Sequence, residues 1–236
     1  MSNLGYFIAG FLLACALVIP ITLFLLQQQK QKLTILAAEL HNHSLDLKIT
    51  LDELAEKNQI LQQQSQIDSL SNAYNRSYFD QQMAAEIKRS RREQRPLALI
   101  FIDIDLFKTI NDSYGHLVGD IVVKNIVSLI QQQLKRTSDK LCRYGGDEFA
   151  IILPNTELSG AITLAESIRH SLSATALIPE FSELKVSISA GCYAATASST
   201  SSVKEYVGQA DKALYKSKSQ GRNQVSSQPL SNVVNF

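Results

Sequence analysis

The spacing of apolar residues changes along the chain, and each change marks a different element. Positions 4–26 are almost continuously apolar, and no charged side chain occurs before Lys30. About 20 helical residues cross a hydrocarbon core, so this run predicts a transmembrane anchor over 1–29 with its span at 4–26. Pro20 falls inside the run, where membrane helices tolerate it. A cleaved signal peptide fits less well, because a basic n-region is missing and the run exceeds an h-region in length. Leu12-Leu13-Ala14-Cys15 resembles a lipoprotein cleavage site, but mostly apolar residues continue past the cysteine. Lys30 and Lys32 follow the run, and the positive-inside rule then places the rest of the chain in the cytoplasm. With so few residues ahead of the run, no periplasmic sensor is expected.

From 30 to 67 the pattern becomes heptad. Leucine recurs every seventh residue at Leu33, Leu40, Leu47, Leu54 and Leu61, with Leu26 in phase. With leucine at d, the a positions are Ala37, Ser44, Leu51, Asn58 and Ser65. One polar Asn at a suits a parallel two-stranded coiled coil, and the small residues at the other a positions make the pairing marginal. A single amphipathic helix lying on another surface carries the same one-sided stripe. Homodimerisation through this segment is the expectation taken forward. His41 and His43 point to different helix faces and are read as solvated rather than as metal ligands.

After Gln66, helical and extended patterns alternate. Helices are predicted at 75–92, 119–135, 158–172 and 203–217. The apolar run Leu97–Leu106, opened by Pro96, predicts a central buried strand. Residues 141–153 predict two strands joined at Gly145-Gly146 in a two-glycine hairpin turn, and 184–193 predict a further strand. Helices interleaved with strands, one of them wholly apolar, indicate an α/β fold with a covered sheet.

Composition narrows the function classes. The apolar fraction is 45%, as in globular proteins, and the net charge of +1 offers no basic excess for a nucleic-acid partner. Three scattered cysteines, Cys15, Cys142 and Cys192, make neither a disulfide framework nor a zinc knuckle and are read as buried thiols. The candidate chemistry is acidic. Asp103 and Asp105 interrupt the end of the most apolar strand, where charge is costly, and at spacing two they share a strand face. Asp147 and Glu148 sit just past the glycine pair. If the hairpin pairs with the 97–106 strand, at least two carboxylates converge. Carboxylates without His or Cys favour a hard cation such as magnesium, and magnesium beside an accessible glycine backbone suggests a nucleoside triphosphate. Lys108, Lys218 and Arg222 are candidates to neutralise its phosphates. Singly, each acid reads as a surface ion pair; four beside buried strands do not. No G-x-x-x-x-G-K motif is present, which excludes a P-loop enzyme.

The segment Arg143-Tyr144-Gly145-Gly146-Asp147-Glu148-Phe149 resembles the signature of the GGDEF family. Further blocks follow that family in order: Asp68 to Arg76, Asp103 to Lys108, Asn111 to Asp120, Ser189 to Gly191, and Ala210 to Asn223. The resemblance covers about 68–223. It implies a nucleotide-cyclase, polymerase-palm-like fold: a central, mainly antiparallel sheet flanked by helices, over 68–224, with 225–236 as a disordered tail. It implies a diguanylate cyclase joining two GTP into cyclic di-GMP and two pyrophosphates across a dimer; together with the expected anchor, this places the protein in the bacterial inner membrane with its catalytic domain in the cytoplasm. By resemblance, Asp103, the Ile104 carbonyl and Asp147 hold Mg2+, with Mn2+ as the substitute, and Asp147 doubles as general base. Lys108 stabilises charge on the phosphates in the transition state. Asn111 and Asp120, with His116 nearby, read guanine. Gly145 and Gly146 give the nucleotide access to backbone, and Lys218 and Arg222 clamp phosphates. Arg136 and Asp139, an RxxD five residues ahead of the glycine pair, match the family's inhibitory product site. Arg169 receives no role.

One departure stands out. Where the family has Thr-Gly-Leu, this chain has Ser71-Asn72-Ala73; serine keeps the hydroxyl, and asparagine tolerates a left-handed turn. Two other classes of function compete. A non-catalytic nucleotide receptor would keep its cellular effect after Asp147→Asn, whereas a cyclase would lose it. A cyclase of the adenylyl type would release a cyclic mononucleotide.

Overall fold

A computed structural model of the protein describes the backbone of residues 3–228 except 65, 176 and 182, and most side chains from Pro20 onward. The chain divides into two compact units, 1–62 and 63–236, taken here in turn.

The first unit is one helix, α1 (Asn3–Gln64), with Pro20 inside it. The leucine stripe is solvent-facing, with Leu33 67% and Leu40 72% exposed and Leu26, Leu47, Leu51 and Leu54 also exposed. The side chain of Leu61, the last leucine of the stripe, lies outside the described residues. His41 and His43 are exposed, as the heptad reading expects. The transmembrane anchor is corrected. Among the described residues, no helix is long and apolar enough to cross a membrane. The side chains at 3–19 lie outside the described residues. The single-pass inner-membrane placement, and the cytoplasmic orientation derived from it, therefore lose their basis.

The second unit begins with a turn and α2 (Arg76–Glu93), capped by Asn75 Oδ1, which accepts from Tyr78 N at 2.9 Å. There follow β1 (Pro96–Ile104), α3 (Phe107–Tyr114), α4 (His116–Gln133), β2 (Lys140–Arg143), β3 (Glu148–Pro154), α5 (Leu158–Ala174), β4 (Ile188–Thr196), α6 (Val203–Ser219) and β5 (Val225–Ser227). The sheet order is β2-β3-β1-β4-β5, antiparallel except for the parallel β4–β5 pair. A tail was expected from 225, yet 225–227 form the edge strand β5 beside Ala190–Cys192. Residues 229–236 lie outside the described residues.

Strand β1 lies at the centre of the sheet and is covered on both faces, which is why it reads as unbroken apolar sequence. Its period of two sorts its side chains. Ala98, Ile100, Ile102 and Ile104 join the core with Val123, Ile126 and Ile130 of α4 and Ala165 and Ile168 of α5. Leu97, Leu99 and Phe101 face the other way, into the core with Phe79 and Met83 of α2 and Tyr206, Ala210 and Leu214 of α6. Asp103 continues this second row, toward α6, and that parity decides its partner.

The helix expected at 119–135 is α4, which starts earlier, at His116; the short α3 ahead of it was not expected. Gly115, at φ 86°, ends α3 and starts α4, a conformation disfavoured for residues with a Cβ. The hairpin glycines act otherwise than expected. Neither Gly145 nor Gly146 has positive φ, so this is not the left-handed two-glycine turn.

Candidate active site

The first acid is placed by the sheet. Asp103 pairs in register with Glu148 on one side and Ser189 on the other. Ile104 N donates to the Asp147 carbonyl at 3.2 Å, which seats the 144–147 turn beside the end of β1. Burial pushes the Asp103 carboxyl pKa up; Lys218 opposes this, while the charges of Asp147 and Glu148 add to it. Asp147 and Glu148 thus lie near enough for their charges to act on Asp103.

Helix α6 supplies the cation already present. A Cβ on Gly191 of β4 would lie 2.2 Å from both Ala210 O and Leu214 N, so only glycine allows this helix so close. Ser217, fully buried, donates to Ala190 O at 2.7 Å. The next residue, Lys218, therefore emerges beside β1, and its Nζ lies 2.6 Å from Asp103 Oδ2. Each step follows from the Ser189-Ala190-Gly191 and Ser217-Lys218 sequences.

Asp105 has a different task from Asp103. The chain leaves the sheet after Ile104, so the shared strand face expected from spacing two is not realised. Asp105 accepts from Ser189 Oγ at 2.6 Å, Ser187 Oγ at 2.7 Å and Asn223 N at 2.9 Å. These bonds fasten the loop carrying Arg222, where Arg222 and Asn223 both adopt left-handed backbone, with φ 64° and 45°. Asp105 thus positions the loop.

Helices α3 and α4 form the second part of the site. A Cβ on Gly119 would fall 1.9 Å from Asn111 Oδ1, so the asparagine amide occupies the space a side chain would need. That Oδ1 is buried and has no hydrogen-bond partner among the described residues. A buried amide atom left unpaired is costly, which favours a ligand that supplies the missing bond. Lys108 and His116 are exposed and Asp120 half-buried on the same helices. Among the described residues, no hydrogen bond or ion pair joins the side chains of Lys108, His116, Asp120 or Arg222 to Asp103 or Asp147.

The hairpin is held from outside. Arg143 donates from Nε and Nη2 to Gly146 O at 3.1 and 2.7 Å, and its Nη1 lies 3.0 Å from Asp68 Oδ1. Burial acts to raise the Asp68 pKa, but the hydrogen bonds from Ser71 and Arg143 outweigh it and the net shift is downward. Asn72 takes left-handed φ 59°, and Ser71 Oγ donates to Asp68 Oδ1 at 2.6 Å, so the departure at 71–73 preserves the turn.

Arg136 and Asp139 lie apart from these acids. They form a pair at 3.3 Å, and Arg136 Nη2 also donates to Thr156 Oγ1 at 2.8 Å. Arg136 lines a cavity of about 310 Å³ together with Arg95, Arg89 and the two acids paired with Arg89, Glu86 and Glu93; no sequence pattern singled these out. Arg169 pairs with Glu166 at 2.8 Å and contacts Asn223. Cys142 and Cys192 are buried thiols whose pKa values burial pushes up to about 12, consistent with inert packing.

No group of three His, Cys, Asp or Glu gathers for a metal among the described residues. Two carboxylates and a carbonyl nonetheless suit magnesium, which takes few protein ligands and completes its shell with water and phosphate.

The comparisons with known proteins agree with this geometry. The family model described as diguanylate cyclase, GGDEF domain, matches residues 65–224. Diguanylate cyclase A of Treponema denticola is 41% identical over 140 residues, 59% of this chain and 37% of that protein. The probable diguanylate cyclase DgcC of Escherichia coli K12 is 38% identical over 174 residues, 74% of this chain and 46% of that protein. The chain thus spans less than half the length of either of these curated relatives. Among solved structures, the coiled coil and GGDEF domain of DgcB from Caulobacter crescentus, in complex with c-di-GMP, is similar. It superposes with a TM-score of 0.66 at 29% identity, covering 80% of this chain and 99% of that one. The GGEEF domain of a diguanylate cyclase from Vibrio cholerae, described as active, gives 0.62 at 32% identity, covering 66% and 98%. On the matched span, the sheet and the site blocks, the chain belongs to the GGDEF family of diguanylate cyclase domains.

Proposed function

We propose that this chain condenses two GTP molecules into cyclic di-GMP and two pyrophosphates. The observation that carries the reading is Asp103, buried at the end of β1 beside the turn that bears Asp147. In this reading Asp103, the Ile104 carbonyl and Asp147 hold Mg2+, or Mn2+ in its place. The ion, when bound, supplies charge to the triphosphate and lowers the barrier to displacement at the α-phosphate.

The chain's own residues do the remainder. Asn111 and Asp120, with His116 near them, bind the guanine edge, and the unpaired Asn111 amide atom supports this. Gly146, around which a Cβ would meet nothing within 4 Å, leaves the turn backbone open to phosphate, and Gly145 flanks it. Lys218 and Arg222 bind phosphate oxygens, and Lys108 stabilises charge that grows in the transition state. Asp147 accepts the proton of the 3′-hydroxyl, whose oxygen bonds to the α-phosphorus of the facing GTP as pyrophosphate departs. Repeating the step with the roles of the two nucleotides exchanged closes the ring.

Two domains must therefore face each other. The heptad segment over 30–67 serves as the dimerisation helix, and 68–224 as the catalytic domain. Its exposed leucine seam supports pairing, which raises the effective concentration of the second domain. Arg136 and Asp139 bind product, the guanidinium offering a planar set of donors to a phosphodiester. The test is to incubate the purified, nucleotide-free protein with GTP and magnesium, with and without added cyclic di-GMP. Cyclic di-GMP forms, and added product slows its formation. A folded dimer that makes none, or that makes a cyclic mononucleotide, overturns the reading.

A further inference from the structure

We infer that Lys218 and the divalent cation compete for one carboxylate oxygen, Asp103 Oδ2, so that the ion enters readily only with a nucleotide. This rests on the metal role proposed above for Asp103 and Asp147. The Lys218 Nζ lies 2.6 Å from that oxygen, with side-chain exposures of 34% and 11%. A magnesium ion bonds a carboxylate oxygen at about 2.1 Å, which brings it within about 4 Å of an ammonium held by the same atom. Repulsion between a divalent ion and an ammonium in a half-buried site is strong. That repulsion sets the two against each other at Asp103.

The backbone around Lys218 is fixed, and its side chain is the part free to move. Ser217 is tied to Ala190 O through its hydroxyl, and its carbonyl accepts from Arg222 N at 3.0 Å and from Gln224 Nε2 at 2.7 Å. Four methylenes separate that anchor from Nζ, and the ion pair with Asp103 is its bond in the structure. A triphosphate gives the displaced ammonium a new anionic partner as the ion arrives. Without nucleotide, the displaced lysine gains no phosphate in place of Asp103. Nucleotide and cation thus assist each other's binding, and the lysine that clamps phosphate is the same group that holds the metal carboxylate beforehand. Lys108 provides the contrast: it carries the same charge on α3, is exposed, and makes no ion pair with Asp103.

The experiment is an electron paramagnetic resonance titration of free Mn2+ against the nucleotide-free full chain. Lys218→Met and Lys218→Gln bind Mn2+ about tenfold more tightly than the parent, while Lys108→Met changes affinity by about twofold or less. Equal tightening in Lys108→Met, or none in either Lys218 variant, overturns the competition. Adding Asp103→Asn to Lys218→Met separates this from the metal assignment itself. If Asp103→Asn weakens binding but the Lys218 variants do not tighten it, only the competition fails. If Asp103→Asn leaves binding unchanged, the ion is held elsewhere, and both the competition and the metal site fall.

Discussion

Replacing Asp147 with asparagine lowers cyclic di-GMP formation on the order of a thousandfold and leaves the fold intact. The two halves of this expectation have separate causes. The backbone of Asp147 performs the structural task, because its carbonyl accepts from Ile104 N, and asparagine keeps that carbonyl. Its side chain makes no hydrogen bond or ion pair among the described residues, so the fold loses no contact. Its charge instead raises the pKa of Asp103, and removing it relieves a repulsion. The melting temperature of Asp147→Asn therefore equals or exceeds that of the parent. Activity falls because a neutral amide is a poor ligand for a hard cation and cannot take a proton from the 3′-hydroxyl. Thermal melting and product chromatography on one sample check both halves.

Substituting alanine for Gly119 separates nucleotide recognition from stability in the opposite sense. Glycine inside a helix costs roughly 0.5–1 kcal/mol relative to alanine, so Gly119→Ala favours α4 itself. The added Cβ, however, falls where Asn111 Oδ1 now lies, with Asn111 Cγ at 3.0 Å and Phe107 Cζ at 3.3 Å. The Asn111 side chain must rotate out. A paired hydrogen-bond contact to a base is worth about 1–3 kcal/mol, so the KM for GTP rises roughly ten- to hundredfold. Discrimination against ATP weakens with it, while kcat changes less. Steady-state kinetics with both nucleotides measure the split. An unchanged KM with undiminished guanine preference would show that Asn111 does not read the base.

Much of this site follows from pattern, and the exceptions have physical reasons. The central strand was readable because a strand covered on both faces must be apolar throughout, which made Asp103 conspicuous. The left-handed Asn72 followed from side-chain chemistry alone. Helix α3 was missed because its eight residues, directly after the strand, are too few to show a helical period. The edge strand β5 was missed because three half-buried residues carry no periodicity. Asp105 looked like a partner of Asp103 because spacing two assumes an unbroken strand; the strand ends at Ile104, and Asp105 turns to Ser187, Ser189 and Asn223. Arg89 and Arg95 reach the Arg136 cavity only through tertiary packing, which no local spacing encodes. The membrane anchor was inferred from composition over 4–26, and the described part of α1 does not carry an apolar run of the required length.

The proposed activity depends most on a divalent ion gripped between the strand end and the hairpin turn. Anomalous diffraction from crystals grown with Mn2+ and a non-hydrolysable GTP analogue locates that ion directly. The predicted result is a peak about 2.2 Å from carboxylate oxygens of Asp103 and Asp147 and from the Ile104 carbonyl, with phosphate oxygens completing the shell. A bound analogue whose ion sits away from both carboxylates would contradict it.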